Sequence, residues 1–209
     1  MRVLALNCGS SSVRAAVVET ADGKRVCERH EELDGRLHAD VLNAWVDDWH
    51  GPDRAELEGV EAVGHRVVHG GDAFAAPARI DDACLARIEA ISHWAPLHNP
   101  ANLEGIRALT RAFPQWPQVA VFDTAFHQTL PPRAYLYALP HSLYREHGIR
   151  RFGFHGSSHR AASKRALELL GIEAPGSRLL VAHLGNGCSA AAVQGGESVD
   201  TTMGLSPLE

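Results

Sequence analysis

The stretch that decides the fold is "ALNCGSSSVRAAVV", residues 5–18, in which two apolar runs flank a turn made of one glycine and three serines. The apolar runs predict two β-strands, residues 2–7 and 12–19. Glycine permits a positive φ, and serine offers small hydroxyl groups beside exposed backbone N–H groups. The turn therefore has two interpretations: a tight hairpin connection, or a loop that wraps an anion with Arg14 nearby.

Composition and charge restrict the class of protein and of partner. With 45% hydrophobic and 22% charged residues, the 209-residue chain is typical of a soluble globular protein with one large or two small domains. Its 20 basic and 25 acidic residues give a net charge of −5 with histidine neutral, which argues against nucleic acid or an anionic membrane as the main partner. An anionic substrate would need a local basic pocket.

The cysteines and the N-terminal sequence predict a cytoplasmic location. The four cysteines are scattered without a CxxC pair, as is typical of free thiols in a reducing compartment. The N-terminal "MRVLALN" lacks the long apolar region of a signal peptide, and the chain has no run of about 18 apolar residues.

Strands alternate with helices along the chain, which predicts the α/β class. Residues 23–33 are consistent with a third, more polar strand at a sheet edge. Further strands are predicted over residues 59–71, 118–123, 177–187, 188–196 and 197–201. Helical spacing of apolar residues predicts helices over residues 39–50, 81–94, 99–113 and 157–171.

An internal similarity links the two ends of the chain. "LNCGSSSVRAAV" (6–17) and "LGNGCSAAAV" (184–193) both contain an apolar strand, a glycine turn with serine and a second apolar strand. An offset of 178 residues superimposes identical residues at three pairs of positions, namely Leu6 and Leu184, Gly9 and Gly187, and Ser11 and Ser189. A duplicated nucleotide-binding fold would need two such loops to hold phosphates.

Two charged residues stand out against their apolar surroundings. Arg66 lies inside the apolar run of "GHRVVHGG" (64–71), where an unpaired guanidinium would be costly, so it binds an anion or forms a structural ion pair. Asp123 follows the apolar strand of "VFDTAFHQTLP" (121–131). Ligands bind at the carboxyl ends of strands in α/β sheets, so Asp123 faces a ligand site or caps a neighbouring turn.

His155 and His159, within "RRFGFHGSSHR" (150–160), lie four residues apart, a spacing that would suit a metal site if both were helical. Gly156 follows His155 directly and indicates that His155 precedes the helix, and no third ligand is evident nearby. We therefore favour a hydrogen bond from His155 to a transferring anionic group near the helix N-terminus, with His159 in a supporting role.

Seven segments, in order and at consistent spacing, resemble the acetate kinase family. They are "LNCGSSSVR", "GHRVVHGG", "APLHNPANL", "VFDTAFHQTLP", "RRFGFHGSSHR", "AHLGNGCS" and "SVDTTMGLSPLE". The resemblance implies a duplicated actin-like, sugar-kinase-like (ribonuclease H-like) α/β fold. It also implies a first lobe over residues 1–126 and the start of a second, incomplete lobe over residues 127–209.

The resemblance also implies an activity: reversible transfer of the γ-phosphate of ATP to acetate, giving acetyl phosphate and ADP and dependent on Mg²⁺ or Mn²⁺. The implied partners are ATP and acetate or another short-chain carboxylate, with a homodimer as the assembly of the full-length family. Alternatives within reach of the sequence are a propionate or butyrate kinase, a non-catalytic anion-binding fragment and a histidine-rich metal protein.

The matched motifs imply a role for individual residues. Asn7 matches the position at the magnesium end of the site, Arg66 the arginine that binds the acyl carboxylate, Asp123 the catalytic aspartate and His155 the histidine that steadies the transition state. Further family histidines, for which we expect supporting roles, correspond to His98 and His159. Positions that match the pocket for the acetate methyl group are Val68, Leu97, Phe154 and Pro207. Positions that match the two phosphate loops are Ser10, Ser12 and Arg14 in the first, and His183, Leu184, Gly185, Asn186 and Gly187 in the second.

The chemistry of such a transfer agrees with these roles. A carboxylate nucleophile is already ionised near neutral pH, so no base is needed to remove a proton from it. The difficulty is electrostatic, because two anions approach each other, and Arg66, a magnesium ion and His155 would offset that charge. Asp123 then organises metal, water or Arg66 rather than acting as a general base. One methylene group changes binding in an apolar pocket by only about 1–3 kcal/mol, so the sequence distinguishes poorly between acetate and propionate as the substrate.

Two features depart from the family pattern. The family has lysine at the position of Arg14. The positive charge is kept, but a planar guanidinium replaces the ammonium group of a flexible lysine side chain. The chain also stops at "SPLE" (206–209), before the segments that carry a second catalytic arginine, the adenine site and a magnesium-associated glutamate. We expect little or no activity from these 209 residues alone.

Overall fold

A computed structural model describes residues 1–207 of the chain. Its strands are β1 (Arg2–Cys8), β2 (Ser12–Glu19), β3 (Arg25–Glu32), β4 (Val60–Val67), β5 (Ala78–Arg79), β6 (Gln118–Phe122), β7 (Arg178–Leu184), β8 (Cys188–Gln194) and β9 (Glu197–Thr201). Its α-helices are α1 (His38–His50), α2 (Asp82–Ala90), α3 (Asn99–Ala112), α4 (Pro132–Tyr135), α5 (His141–His147) and α6 (Gly156–Leu170). Short 3₁₀ turns cover Arg54–Leu57, Ser92–Trp94 and Ala125–Thr129.

The strands form a six-stranded mixed sheet, in the order β3-β2-β1-β4-β6-β5, and a three-stranded antiparallel sheet, in the order β7-β8-β9. The chain folds into two compact units. The first contains Met1–Val67 and Pro77–Val121, and the second contains Val68–Ala76 and the chain from Phe122 onward.

In the first unit, β1 and β2 form the predicted hairpin, with registers from Arg2 opposite Glu19 to Cys8 opposite Val13. Alternate residues of both strands are buried and pack with apolar residues of α1 and α3. Helix α3 approaches the sheet closely at Gly105, where a Cβ atom would lie 2.7 Å from the Cys8 sulfur. A glycine is therefore required at this contact between helix and strand.

In the second unit, α6 ends at Gly171, whose φ of 63° gives the left-handed conformation common after helices. Strands β7 and β8 pair in register from Arg178 opposite Gln194 to Leu184 opposite Cys188, and β9 completes the small sheet. Among residues 1–207, none of the helices has the length and apolar character needed to cross a bilayer.

The predicted elements are mostly confirmed, and the differences include the short strand β5, which was not predicted. The strand predicted over 59–71 ends at Val67, because Val68 packs instead with Phe154 and Met203 in the second unit. The helix predicted over 81–94 ends at Ala90 and is followed by a separate 3₁₀ turn. The short helices α4 and α5 were not predicted; both begin at a proline, at N1 or N-cap, and neither buries a residue fully.

Candidate active site

The second unit contains a cluster of four histidines, formed by His127, His155, His159 and His183. The rings of His155 and His183 stack with their centroids 4.0 Å apart and their planes 22° from parallel. The rings of His127 and His159 meet edge to face at 5.7 Å. The cluster brings together two residues predicted for the site, His155 and His183, and the predicted supporting residue His159.

Backbone geometry places His155 before α6, as the sequence predicted. His155 is the N-cap residue and has a φ of 59°, a left-handed conformation that is uncommon for residues other than glycine. The next residue, Gly156, donates its backbone N–H to the carbonyl oxygen of Asp123 at 2.9 Å. A Cβ atom at position 156 would lie 2.1 Å from that oxygen, so only glycine fits between β6 and α6.

A serine on β8 joins two histidines of the cluster. The Ser189 hydroxyl oxygen lies 2.8 Å from Nδ1 of His155 and 2.8 Å from Nε2 of His159. On the neighbouring strand, His183 Nδ1 lies 2.9 Å from the Ser158 hydroxyl, which belongs to the first turn of α6. Three elements, α6, β7 and β8, therefore hold these side chains.

Burial keeps two of the histidines uncharged near neutral pH. The pKa of His159 is lowered to about 4, mainly by burial and also by repulsion from the neighbouring histidines. Burial also lowers the pKa of His127. His127 then donates its Nε2 proton to the Phe154 carbonyl at 3.0 Å, and its Nδ1 accepts the Ser198 hydroxyl proton at 2.8 Å.

Asp123 lies where β6 ends and is only 1% exposed. The adjacent Thr124 hydroxyl accepts the backbone N–H of Gly70 at 3.0 Å, which ties the segment after β4 to the end of β6. The backbone of Asp123 is in turn tied to α6 through Gly156.

The residues predicted for the methyl pocket fall into two groups. Val68 and Phe154 pack together with Met203, and all three are at most 4% exposed. Pro207 lies half-buried in the same unit. Leu97 lies in the first unit and is 59% exposed there. The sequence reasoning missed Met203, because no local pattern marks it.

In the first unit, Arg66 and Asn7 lie on the adjacent parallel strands β4 and β1. The guanidinium Nη1 of Arg66 donates to Oδ1 of Asn7 at 3.2 Å. Arg14 lies directly opposite Asn7 in the β1–β2 ladder and is exposed. The two strands next to β1, β2 and β4, therefore each carry an arginine near Asn7.

The turn between β1 and β2 is closed by a backbone hydrogen bond from Gly9 to the carbonyl of Ser12 at 2.8 Å. Ser10 is exposed and Ser12 is 9% exposed. The sequence reasoning missed two side chains that brace this turn. His38 donates from Nε2 to the Gly9 carbonyl at 2.6 Å, and Asn102 donates to the Cys8 carbonyl at 2.9 Å.

The second predicted phosphate loop, His183 to Gly187, begins with the last two residues of β7 and continues into the turn after it. Leu184 is 80% exposed, and Gly185 and Asn186 are also exposed. Gly187 packs against the His155 ring, since a Cβ at that position would lie 3.1 Å from Cε1 and 3.2 Å from Nε2. The second unit therefore places the tip of this loop beside His155.

Magnesium and zinc need different kinds of ligand group. Within residues 1–207, no group of three or more histidine, cysteine or acidic side chains is arranged to hold a metal ion. Magnesium keeps several waters and takes few protein oxygens together with substrate phosphates, so it does not need such a group. Asn7 in the first unit has an amide oxygen and Asp123 in the second unit has carboxyl oxygens, and each taken by itself is a ligand type that magnesium accepts.

Comparison with known proteins identifies relatives of the whole chain. Residues 27–209 match the model of the acetokinase family. Acetate kinases from Shewanella amazonensis and Deinococcus deserti are 48% and 49% identical, in alignments that cover 99% and 100% of this chain and 57% of each relative. This chain thus spans a little over half the length of these relatives.

Solved structures agree with the sequence comparison. A propionate kinase from Francisella tularensis matches with a TM-score of 0.89 and 40% identity, and an acetate kinase from Porphyromonas gingivalis matches with a TM-score of 0.86 and 38% identity. Each match covers 100% of this chain and 58% of the solved chain. The predicted α/β class and actin-like fold are confirmed by these matches.

Proposed function

Because the chain belongs to the acetokinase family, we propose that it is the part of an ATP-dependent kinase that binds a short-chain carboxylate, with acetate as the first candidate. The observation that carries the proposal is the arrangement around His155, which a strained backbone and Ser189 hold beside the glycine turn after β7. A phosphoryl group transferred to a carboxylate needs hydrogen-bond donors and cations at fixed positions.

Arg66 would bind the acyl carboxylate. Its guanidinium is a planar group of five N–H donors, and Nη1 donates to Oδ1 of Asn7. A planar fork suits a carboxylate or a phosphoryl group, and its charge offsets the repulsion between the two anions as they approach. Asn7 holds the orientation of this fork through its amide oxygen.

His155 would donate a hydrogen bond to the phosphoryl group during transfer. His183, stacked on His155 at 4.0 Å, and Gly185, Asn186 and Gly187 would hold phosphates of ATP. Ser10, Ser12 and Arg14 would do so at the first loop. Serine hydroxyls, glycine N–H groups and a nearby cation are typical of anion-binding turns.

A magnesium ion, held by Asn7 and organised by Asp123 together with the ATP phosphates, would neutralise charge on the transferred group. Manganese would suit the same oxygen ligands. This chain would contribute the oxygen ligands of the metal ion. The backbone hydrogen bond from Gly156 to Asp123 keeps Asp123 in place.

The apolar cluster of Val68, Phe154 and Met203 supports a small acyl acceptor, because its side chains would contact the methyl group of acetate. Propionate is the second candidate, because the Francisella tularensis structure matched above is of a propionate kinase. Comparison of kcat/KM for acetate, propionate and butyrate distinguishes the two.

We further propose that residues 1–126 and 127–209 act as the two lobes of the enzyme, with Leu97 and Pro207 contributing to the acyl pocket. The relatives and the chemistry support ATP and a short-chain carboxylate as partners. A homodimer and a cytoplasmic location belong to the same proposal.

The experiment that tests this function measures ADP release from MgATP with acetate. If turnover is detected, Arg66→Ala and His155→Ala are each expected to lower kcat by about 10²–10³-fold, the usual effect of removing one fixed donor to developing charge. Arg25→Ala, which removes an exposed ion pair with Glu28, serves as the matched control. Unchanged turnover in both site variants would overturn the assignment.

If the 209-residue chain gives no turnover, its binding of acetate and of MgATP is measured by calorimetry with the same variants. Loss of acetate binding in Arg66→Ala supports the role in acyl binding. Binding of acetate that is unaffected by Arg66→Ala contradicts it.

A further inference from the structure

The hydroxyl of Ser189 has one proton to donate and two histidine nitrogens beside it. Both Nδ1 of His155 and Nε2 of His159 lie 2.8 Å from the Ser189 oxygen. Ser189 is 4% exposed, so its proton is given to one of these two nitrogens rather than to bulk water. The direction of that donation decides the tautomer of both rings.

The other nitrogen of His159 indicates the direction. Nδ1 of His159 is buried and has no hydrogen-bond partner within the described residues 1–207. If Ser189 donated to His159, the neutral ring would carry its proton on Nδ1 as a buried N–H without an acceptor. Buried N–H groups without acceptors are rarer in proteins than acceptors with a spare lone pair.

The opposite direction leaves only an unused lone pair on His159. In that arrangement Nε2 of His159 donates to Ser189, and Ser189 donates to Nδ1 of His155. Burial lowers the pKa of His159 to about 4, which keeps that ring neutral near pH 7 and consistent with a single proton on Nε2. The neutral His155 ring then carries its proton on Nε2.

The proton on Nε2 of His155 matters because this nitrogen lies beside the glycine turn after β7. The Nε2 edge of His155 lies against Gly187, where an added Cβ would come within 3.2 Å of that atom. Gly187 belongs to the glycine turn proposed to hold phosphates. An N–H group at this position donates to an anionic oxygen, whereas a bare nitrogen would repel it.

We propose that Ser189 is a positioning residue: its hydroxyl, oriented by His159, holds neutral His155 in the tautomer that presents an N–H group at Nε2 to the glycine turn. The tautomer is a property of the chain alone. Its effect on phosphoryl transfer rests on the function proposed above.

The test reads the tautomer directly from the nitrogen chemical shifts of the chain labelled with ¹⁵N-histidine. Long-range ¹H–¹⁵N correlation spectra at about pH 8, where histidine is neutral, distinguish a protonated from an unprotonated ring nitrogen. The signals of His155 are identified by their loss in His155→Gln. We expect Nε2 protonated and Nδ1 unprotonated, and the reverse pattern in the wild-type chain would overturn the proposal.

Variants then test whether Ser189 is the cause. Ser189→Ala is expected to shift the His155 signals toward a mixture of tautomers, and Ser189→Thr, which keeps a hydroxyl, to restore them. Ser198→Ala is the matched control, because it removes a hydrogen bond of the same 2.8 Å length from His127. The proposal fails if a folded Ser189→Ala chain keeps the wild-type tautomer. If Ser189→Ala does not fold, the wild-type spectrum still decides which nitrogen of His155 carries the proton.

Activity provides a separate measurement. Where turnover with acetate and MgATP is detected, Ser189→Ala is expected to lower kcat by at least about tenfold, part of the contribution of one fixed donor. An Nε2-protonated His155 without any phosphoryl transfer would contradict the proposed function and leave the tautomer assignment standing. A wild-type kcat in Ser189→Ala would show that the tautomer does not serve transfer.

Discussion

The backbone amide of Gly156 donates to the carbonyl oxygen of Asp123, and no room for a side chain remains between them. This contact joins the end of β6 to the start of α6, which are far apart in sequence. It therefore places the two central residues of the second unit, Asp123 and His155, on neighbouring backbone segments.

Gly156→Ala is expected to destabilise the protein by about 2–4 kcal/mol, because a Cβ at 2.1 Å from the carbonyl oxygen of Asp123 forces the Asp123 backbone and α6 apart. Urea unfolding followed by circular dichroism measures the change. Gly64→Ala is the control, since its Cβ would meet nothing closer than 3.9 Å. Equal stability of both variants would contradict the contact.

His65 should make stability depend on pH. Burial lowers its pKa to about 4, below the unfolded value of 6.5, so the unfolded chain binds the proton more readily. The stabilising contribution is complete above about pH 6.5 and declines as pH falls toward 4, by about 3 kcal/mol in total. In His65→Gln this part of the pH dependence of unfolding should disappear.

Urea unfolding at several pH values between about 4 and 7 checks that prediction. The exposed His147 provides the matched control, since His147→Gln should keep the wild-type pH dependence. His159, also buried and with its pKa lowered to about 4, keeps a similar dependence in both variants. A wild-type slope in His65→Gln would show that His65 is not the cause.

The cysteines should differ in reactivity. Cys188 is exposed, whereas burial, together with the nearby Glu104 charge, raises the pKa of the Cys8 thiol to about 12. At about pH 8 only about one Cys8 in 10⁴ is a thiolate, so iodoacetamide should modify Cys188 first and leave Cys8 intact in the folded chain. Peptide mass spectrometry locates the label.

The chain unfolded in urea is the control for this labelling, and all four cysteines should then react. Modification of Cys8 as fast as Cys188 in the folded chain would mean that β1 opens readily. The first unit would then be less stable than its buried core indicates.

Val68→Ala tests the acyl pocket. Removing two methyl groups from the cluster with Phe154 and Met203 leaves space for one more methylene on the acceptor. The ratio of kcat/KM for propionate to that for acetate should rise by about tenfold or more, as one methylene is worth about 1–3 kcal/mol. An unchanged ratio would place the acceptor elsewhere.

Leu97→Ala, at an exposed position, is the variant to compare with Val68→Ala. The sequence predicts Leu97 as a member of the same pocket, yet in the first unit its side chain is largely exposed. Leu97→Ala with a changed acceptor preference would support the sequence-based prediction, and a wild-type preference would remove Leu97 from the pocket.

Sequence alone was sufficient for the elements whose determinants are local. The β1–β2 hairpin, the start of α6 after His155 and the strands β7 and β8 follow from apolar periodicity and from glycine, which act over a few residues. Family resemblance supplied the site residues as a set, and comparison confirmed the family.

Only the tertiary structure decided which side chains meet. Ser189 comes between His155 and His159 because β8 packs beside the start of α6, and residues 34 and 30 positions apart in sequence leave no shared periodicity. Met203 and Val68, which are also far apart in sequence, meet in one buried cluster with Phe154. Hydrogen-bond direction and burial are properties of the packed chain, so the physical cause of a fixed His155 tautomer exists only after folding.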